Sequence, residues 1–239
     1  MYHGKLSLVA ERQLAYVVWA MKLYYLRYSP YARKVQILLD LLGERHEDIE
    51  MNYSDRTELA ELTGGYVYVP VLAAADGTVT VESRDICQRL LQGAAAERFT
   101  PSPLEGPIWA YADFVDGPLE DVLFRIASPV VRELWKSAGD RALYVLIKER
   151  KFGAGCLDQW ARDRAVLTER GRKLLAPTLR TLALQPFLFG QQPTLADAAL
   201  YGVCAMLFEA DPELLSALSP ALRPFMLRVE AAATAAKAA

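Results

Sequence analysis

The pattern of apolar residues changes near residue 100, and this change limits the possible folds more than any other feature. Before it, short apolar runs alternate with segments of helical periodicity, in the order β-α-β-α-β-β-α. From Ile108 onward, only helical periodicity is present. Alternating strands and helices predict one mixed sheet of about four strands with helices packed on it. The sequence therefore predicts an α/β domain followed by an all-helical domain.

Glycines and prolines mark the boundary, because Gly93, Pro101, Pro103, Gly106 and Pro107 lie close together, a composition typical of a linker. We predict an N-terminal extension at residues 1–20, a sheet domain at 21–95, a linker at 96–106 and a helical domain at 107–239. The predicted helices of the last region span 107–127, 129–150, 155–185, 194–209 and 220–236, with a short turn near 211–218.

The first twenty residues do not fit the pattern of the sheet domain. Their apolar stretches are interrupted by Glu11, Arg12 and Gln13. A signal peptide needs an unbroken apolar region of roughly 7–15 residues, so we expect a dispensable extension rather than an export signal. A cleaner strand pattern begins at Met21.

Composition excludes several classes of function. The formal net charge of −2 implies no basic surface for nucleic acid. His3 and His46 are the only two histidines, which argues against a histidine-rich metal site. Cys87, Cys156 and Cys204 are far apart, which is typical of free thiols in a reducing compartment such as the cytoplasm. No apolar run approaches the ~18–20 residues needed to span a membrane.

The segment from Val69 to Ser83 has the features of a small binding site. Pro70 opens an apolar strand, an Asp-Gly turn leads into a second strand, and Glu82-Ser83 begins a helix. A cis bond before Pro70 would turn the preceding carbonyl and N–H outward, where an extended ligand can pair with them. Ser83 and the free N–H groups of the helix suit a carboxylate, and Glu82 suits an ammonium. The segment predicts a site for a ligand with both an α-amino and an α-carboxyl group; a plain hairpin and a capped helix are the alternative.

Thr194 and Asp197 have the spacing of a capping box at a helix start. Small residues follow them, among them Ala198, Ala199 and Gly202, and these allow a buried helix to pack closely. We expect a structural role for this motif.

Four motifs occur in an order and spacing that resemble the cytosolic glutathione transferase family. They are Ser29-Pro30-Tyr31-Ala32-Arg33-Lys34-Val35, Val69-Pro70-Val71-Leu72, Glu82-Ser83 and Thr194-Leu195-Ala196-Asp197. The resemblance covers residues 21 to about 235 and implies a thioredoxin-like N-terminal domain with an all-helical C-terminal domain. It also implies a cytoplasmic homodimer that uses glutathione as co-substrate and no metal.

By the same resemblance, glutathione would lie along Val69 and Pro70, while Glu82 and Ser83 would hold its γ-glutamyl end. Ser29 is similar in position to the catalytic serine of the tau and zeta classes and to the omega-class cysteine. Its hydroxyl would donate to the glutathione sulfur and stabilise the thiolate, which is the nucleophile. Ser-Pro at a helix start is also an ordinary N-cap, so a catalytic role and a purely capping role are both open.

The electrophile pocket is expected between the two domains, with Tyr31, Tyr111 and Phe114 as candidate walls. The resemblance places it where the first helix faces the start of the helical domain.

Two departures from the family pattern affect the prediction. Ala32 stands where thioredoxin-like redox proteins have their second cysteine, which excludes dithiol exchange at this site. The loop at residues 65–68 lacks the lysine that many members place near the glycyl carboxylate of glutathione. Lys34, Arg33 and Arg84 are alternative cations, although each fits a solvated helix face better.

These features predict a glutathione transferase that adds the glutathione thiolate to a small electrophile or reduces a peroxide. A zeta-type isomerase fits less well, because Ser29-Pro30-Tyr31 does not match the Ser-Ser-Cys start of that class. The alternative is a non-catalytic protein of the same fold, used for binding or assembly, and the missing lysine favours it.

Overall fold

A computed structural model describes residues 21–238, so the predicted extension at 1–20 lies outside the described residues. The first part of the chain forms the sheet domain with the predicted order of elements. Its elements are β1 (Met21–Tyr25), α1 (Pro30–Leu42), β2 (His46–Glu50), α2 (Thr57–Thr63), β3 (Val71–Ala74), β4 (Val79–Val81) and α3 (Ser83–Leu90). The four strands have the order β2-β1-β3-β4. Strand β1 is parallel to β2 and antiparallel to β3, and β3 is antiparallel to β4.

Helix α1 forms because its sequence carries both a start and a stop signal. Ser29 is the N-cap, and its side chain accepts from the Ala32 N–H; Pro30 occupies the first helical position, where no donor is needed. Gly43 ends the helix with φ of 74°, a left-handed conformation that suits glycine.

The predicted linker at 96–106 contains the end of a short helix, α4 (Ala94–Phe99). The remaining helices are α5 (Glu105–Phe114), a π-helical segment (Val115–Leu119), α6 (Glu120–Leu134), α7 (Ala138–Phe152), α8 (Cys156–Arg162), α9 (Arg164–Leu182), α10 (Leu195–Ala210), α11 (Pro212–Leu218) and α12 (Leu222–Ala238). No strand occurs among residues 100–238, in agreement with the helical prediction.

Two predicted helix boundaries are wrong. The break expected between 127 and 129 is absent, because Pro129 lies inside α6 and the helical segment runs from Glu105 to Leu134 through the π-helical turn. The single helix expected at 155–185 is instead divided into α8 and α9 at Asp163. A proline ends a helix only where the surrounding structure cannot accommodate the hydrogen bond that it fails to make. The position of Pro129 in the sequence therefore misplaced the first boundary.

Helix α10 lies at the centre of the main hydrophobic core, which extends through both domains. Its side chains from Leu195 to Leu207 are all buried. A Cβ on Gly202 would come within 2.4 Å of the Pro30 carbonyl oxygen, so α10 touches the first turn of α1 at van der Waals distance. This close approach fixes the sheet domain against the helical domain. A smaller cluster around Tyr24, Leu59 and Val71 lies apart from the main core.

The capping box at the start of α10 is formed as predicted. The Asp197 carboxylate accepts from the N–H of Thr194 at 2.9 Å and from the N–H of Leu188 at 2.8 Å. Asp197 is fully buried, and its burial raises its pKa to about 6 against the opposing effect of these donors. The motif joins the preceding loop to the helix.

None of the helices within residues 21–238 is both long enough and apolar enough to cross a lipid bilayer.

Candidate functional site

The sheet register brings the predicted site segments to one edge of the sheet. Tyr24 pairs with Val71, and Val71 pairs with Val81, so these residues form one row across β1, β3 and β4. Neighbouring strands lie about 4.8 Å apart, so the row is about 10 Å wide. Ser29 follows the end of β1, Val69-Pro70 precedes β3, and Glu82-Ser83 follows β4. The three motifs, up to 54 residues apart in sequence, therefore meet at a common edge.

Val69 presents its main chain for pairing beside this edge. The Val69–Pro70 peptide bond is cis, as the sequence predicted. Regular pairing of β3 begins only at Val71. Within residues 21–238, neither the N–H nor the C=O of Val69 has a hydrogen-bond partner. An extended ligand can therefore pair with this residue as an additional strand does.

Ser29 lies at the N-terminus of α1 and is half-buried. Its Oγ accepts from the Ala32 N–H at 3.3 Å, which confirms the predicted capping role. A hydroxyl that accepts this bond still has its hydrogen to donate, and Ser29 Oγ donates to no acceptor within the described part of the chain. The hydrogen is thus available to a ligand, next to the positive end of the α1 dipole.

Glu82 adopts an unusual backbone conformation between β4 and α3. Its φ is 63° and its ψ is 125°, and it is the one non-glycine residue between positions 21 and 238 with positive φ. Such a conformation costs a non-glycine residue about 1–3 kcal/mol, and residues strained in this way cluster at functional sites. The adjacent Ser83 is buried at the first position of α3. Glycine would adopt this conformation without strain, so the presence of glutamate here points to a function of its side chain.

Tyr66 is a residue of this edge that the sequence analysis missed. Its hydroxyl donates to Glu82 Oε1 at 2.7 Å. Burial, followed by this hydrogen bond, raises the pKa of Tyr66, which keeps the phenol protonated as a donor. No sequence signal identifies the pair, because 16 residues separate Tyr66 from Glu82.

The three cations suggested by the sequence all have acidic partners. Lys34 is only 3% exposed and forms an ion pair with Asp116, so its prediction as a solvated residue is wrong. Arg33 lies 3.7 Å from Glu209 and is half-buried. The exposed Arg84 pairs with Asp113, and its guanidinium carbon lies 4.8 Å from the centroid of the Trp109 ring.

All three acidic partners belong to the helical domain. They are Asp116 for Lys34, Glu209 for Arg33 and Asp113 for Arg84. Each of the three cations therefore forms an ion pair between the domains. Each already has a protein counter-charge, so a ligand carboxylate would have to compete for it.

Tyr31 lies where α1 meets the π-helical segment. Its hydroxyl donates to the Asp116 carbonyl at 3.0 Å, so Asp116 contacts α1 through both its side chain and its main chain. The Glu120 carboxyl lies near the same phenol, and burial raises the pKa of Glu120 to about 7. The sequence analysis also missed this titratable group, because the groups around it, among them Tyr31 and Lys148, are distant from it in sequence.

Tyr111 and Phe114 lie together, with ring centroids 5.8 Å apart. The Tyr111 hydroxyl is 2.8 Å from Thr178 Oγ1, and its ring centroid is 6.4 Å from that of Phe189. Both contacts belong to the helical domain. Their place in an electrophile pocket, together with Tyr31, stays a prediction.

Two surface clefts lie away from this edge. One, of about 510 Å³, is bordered by α3, α4 and α5 and includes Trp109 and Thr100. The other, of about 450 Å³, lies on α7 and includes Leu146 and Arg141. Neither includes Ser29, Val69 or Glu82.

All three cysteines of the chain are buried free thiols. Burial raises the pKa of Cys87 to about 11 and that of Cys204 to about 12, and it also raises the pKa of Cys156. A thiolate from the protein itself is therefore not offered to a ligand at neutral pH. Within residues 21–238, no group of three or more His, Cys, Asp or Glu side chains is arranged to hold a metal ion.

Comparison with known families gives a match in each domain. A model of the N-terminal domain of glutathione S-transferases matches residues 23–98, and a model of the C-terminal domain of the same enzymes matches residues 140–233. Together the two matches cover well over half of the chain.

Solved structures with the same fold cover both domains. A glutathione S-transferase from Pseudomonas fluorescens is 22% identical with a TM-score of 0.61, over 87% of this chain and 94% of that one. A glutathione transferase from Phanerochaete chrysosporium is 18% identical with a TM-score of 0.71, over 89% and 96%. A glutathione S-transferase from Ceriporiopsis subvermispora, solved in complex with glutathione, is 16% identical with a TM-score of 0.70, over 87% and 97%. The thioredoxin-like and helical domains predicted from the sequence are thus confirmed.

Proposed function

The chain belongs to the glutathione S-transferase family, and from this premise we propose that it is a serine-type glutathione transferase. Glutathione would be the thiol co-substrate, and the reaction would be addition of its thiolate to a small electrophile or reduction of a peroxide. The observation that carries the proposal is the meeting of Ser29, the unpaired main chain of Val69, and Glu82-Ser83 at one edge of the sheet.

Each of these groups suits one part of glutathione. The Val69 N–H and C=O would pair with the cysteinyl backbone beside Pro70. The α-carboxylate would meet Ser83 and the N-terminus of α3, and the ammonium would meet the Glu82 carboxylate. In this arrangement the sulfur lies toward Ser29.

Ser29 would stabilise the glutathione thiolate through its hydroxyl hydrogen. A charge-assisted hydrogen bond favours the ionised form of the thiol and lowers its pKa. The N-terminus of α1 acts in the same direction. Since the chain's own cysteines are buried, the nucleophile would come from the co-substrate, which favours the serine type over the omega-class cysteine type.

The second substrate would enter beside Tyr31, with Tyr111 and Phe114 as the proposed outer walls. A homodimer in the cytoplasm completes the proposal by analogy with the family. The contact of Tyr31 with Asp116 at the domain boundary supports the placement of this pocket.

One observation favours a second candidate function, a non-catalytic binding or assembly protein. The loop at residues 65–68 has no cation, and Lys34, Arg33 and Arg84 are held by acidic residues. The glycyl carboxylate of glutathione would then lack a counter-charge from any of the cations that the sequence suggested.

A glutathione-agarose column followed by a thiol-conjugation assay separates the two functions. Retention with turnover supports the transferase. Retention without turnover supports a binding protein, and absence of both contradicts the proposed role of glutathione.

Ser29→Ala then tests the mechanism. We expect kcat/KM to fall about 10- to 100-fold, because a hydrogen bond to a charged group contributes about 1.5–3 kcal/mol. The pKa of bound glutathione, followed by the ultraviolet absorbance of its thiolate, should rise by about one unit or more.

Ser137→Ala is a matched control. Ser137 caps α7 by accepting from the N–H groups of Gly139 at 3.1 Å and Asp140 at 3.3 Å. Its loss should affect stability alone. Unchanged turnover in Ser29→Ala would remove Ser29 from the mechanism.

A further inference from the structure

Tyr66 reaches the candidate site from the loop between α2 and β3. Its ring packs against the smaller hydrophobic cluster, where Tyr24, Leu59 and Val71 are buried. Its hydroxyl extends to Glu82 Oε1, 2.7 Å away. The half-buried ring is therefore held against this cluster, while its hydroxyl lies at the edge of the sheet.

Glu82 makes no ion pair with a basic residue within the described chain. The nearby Arg84 pairs with Asp113, and Arg89 contacts Asp76 and Thr80. The second carboxylate oxygen, Oε2, also has no hydrogen-bond partner among residues 21–238. A neutral donor thus fixes one oxygen of the Glu82 carboxylate. The other oxygen and the negative charge remain available to a ligand.

An exposed glutamate ordinarily loses rotamer freedom when it binds a ligand, and this loss weakens binding. The phenol of Tyr66 removes part of that loss before the ligand arrives. A neutral donor does so without cancelling the negative charge, whereas a lysine or arginine at the same place would compete with a ligand cation. The strained backbone of Glu82, with φ of 63°, further limits where the carboxylate can point.

We propose that Tyr66 is a positioning residue for the ammonium group of a γ-glutamyl thiol, acting through Glu82. The inference rests on the proposed function and adds to it a determinant of co-substrate specificity. Recognition is then concentrated at the amino end of the co-substrate.

The test compares two thiols in wild type and in Tyr66→Phe. One thiol is glutathione, and the other is its analogue without the α-amino group, glutaryl-cysteinyl-glycine. We expect the KM for glutathione to rise about 3- to 10-fold in Tyr66→Phe, with kcat within about twofold. The KM for the analogue should be the same in both proteins, because it has no ammonium for Glu82 to hold.

Tyr68→Phe is the matched control, since Tyr68 is in the same loop and 68% exposed, and its hydroxyl makes no hydrogen bond within residues 21–238. It should leave both KM values unchanged. In Glu82→Gln, adding Tyr66→Phe should cause little further loss, because the two residues act as one unit.

Three results would overturn the inference. An equal loss with both thiols would mean that Tyr66 only supports the loop, and no loss with either would mean that it has no role. A wild-type protein that does not bind glutathione would overturn the proposed function itself, and this inference with it. The first two results leave the proposed function intact, so the failures are distinguishable.

Discussion

Two helices of this protein begin at a hydroxyl residue, and the two starts are used differently. Helix α1 begins at Ser29, which is half-buried and keeps its hydroxyl hydrogen available. Helix α10 begins at Thr194, which is buried and whose hydroxyl donates to Asp197 at 2.9 Å. The same local signal therefore marks a candidate catalytic group at Ser29 and a buried, purely structural cap at Thr194. What separates them is the packing around each helix start.

The two starts are also in physical contact, since Gly202 of α10 lies against Pro30 of α1. The buried start of α10 therefore supports the half-buried start of α1. Changes in α10 should therefore affect folding, and changes at Ser29 should affect chemistry.

The largest effect is expected for Asp197→Ala. It leaves the buried N–H groups of Leu188 and Thr194 without acceptors, at about 1–3 kcal/mol each, and opens a cavity. We expect the free energy of unfolding to fall by about 3–5 kcal/mol in denaturant titrations.

Asp197→Asn serves as the control for this prediction. It keeps the shape and one acceptor oxygen and should lose less. Normal thermal stability with selectively lost activity in Asp197→Ala would reverse the assignment of the two helix starts.

Gly202→Ala should have the next largest effect, about 1–3 kcal/mol of stability, because its Cβ would overlap the Pro30 carbonyl oxygen at 2.4 Å. Gly106→Ala is matched to it, since Gly106 is also helical and has open space around its Cβ position. That variant should be slightly more stable than wild type, by up to about 1 kcal/mol. If calorimetry gave equal melting temperatures for the two variants, α10 would not be the rigid support of α1.

Ser29→Ala should cost only about 0.5–1 kcal/mol of stability, because its capping bond to the Ala32 N–H is long at 3.3 Å. Chemical denaturation would measure this beside the activity described above. A stability loss as large as that of Asp197→Ala would make Ser29 a structural residue like Thr194.

The smallest effect is expected at the far end of α1, around His46. Its Nε2 lies 3.4 Å from Asp48 and 3.7 Å from Asp40. Burial lowers the pKa of His46, but the hydrogen bond to Asp48 and the charges of both aspartates raise it by a larger amount. The net shift of the pKa is therefore upward.

Because the pKa of His46 is raised in the folded state, protonated His46 stabilises the protein fully below about pH 6.5. This stabilisation is lost as pH rises through the folded-state pKa. Melting temperatures should therefore fall on the alkaline side by an amount equivalent to less than about 1 kcal/mol. His46→Gln should flatten this slope and leave glutathione turnover unchanged. An unaltered slope in that variant would assign the pH dependence to other groups.

Much of the fold was accessible from the sequence because its signals are local. Ser29-Pro30 and Gly43 delimit α1, and Thr194 with Asp197 starts α10, through contacts within four residues of one another. The helical domain was less accurate. Pro129 predicted a break that α6 does not have, and Asp163 divides a segment whose periodicity is continuous. Pro129 is buried within α6, so there the packing of neighbouring helices outweighed the local preference.

The candidate site divides in the same way. Sequence alone determined which residue types stand at the helix starts and at the opening of β3, because caps and X-Pro bonds depend on adjacent residues. Only the tertiary structure decided that Tyr66 reaches Glu82 and that Lys34 is buried against Asp116, which is 82 residues away. Contacts at such separations arise when buried surfaces fit together, and a one-dimensional pattern does not record that fit.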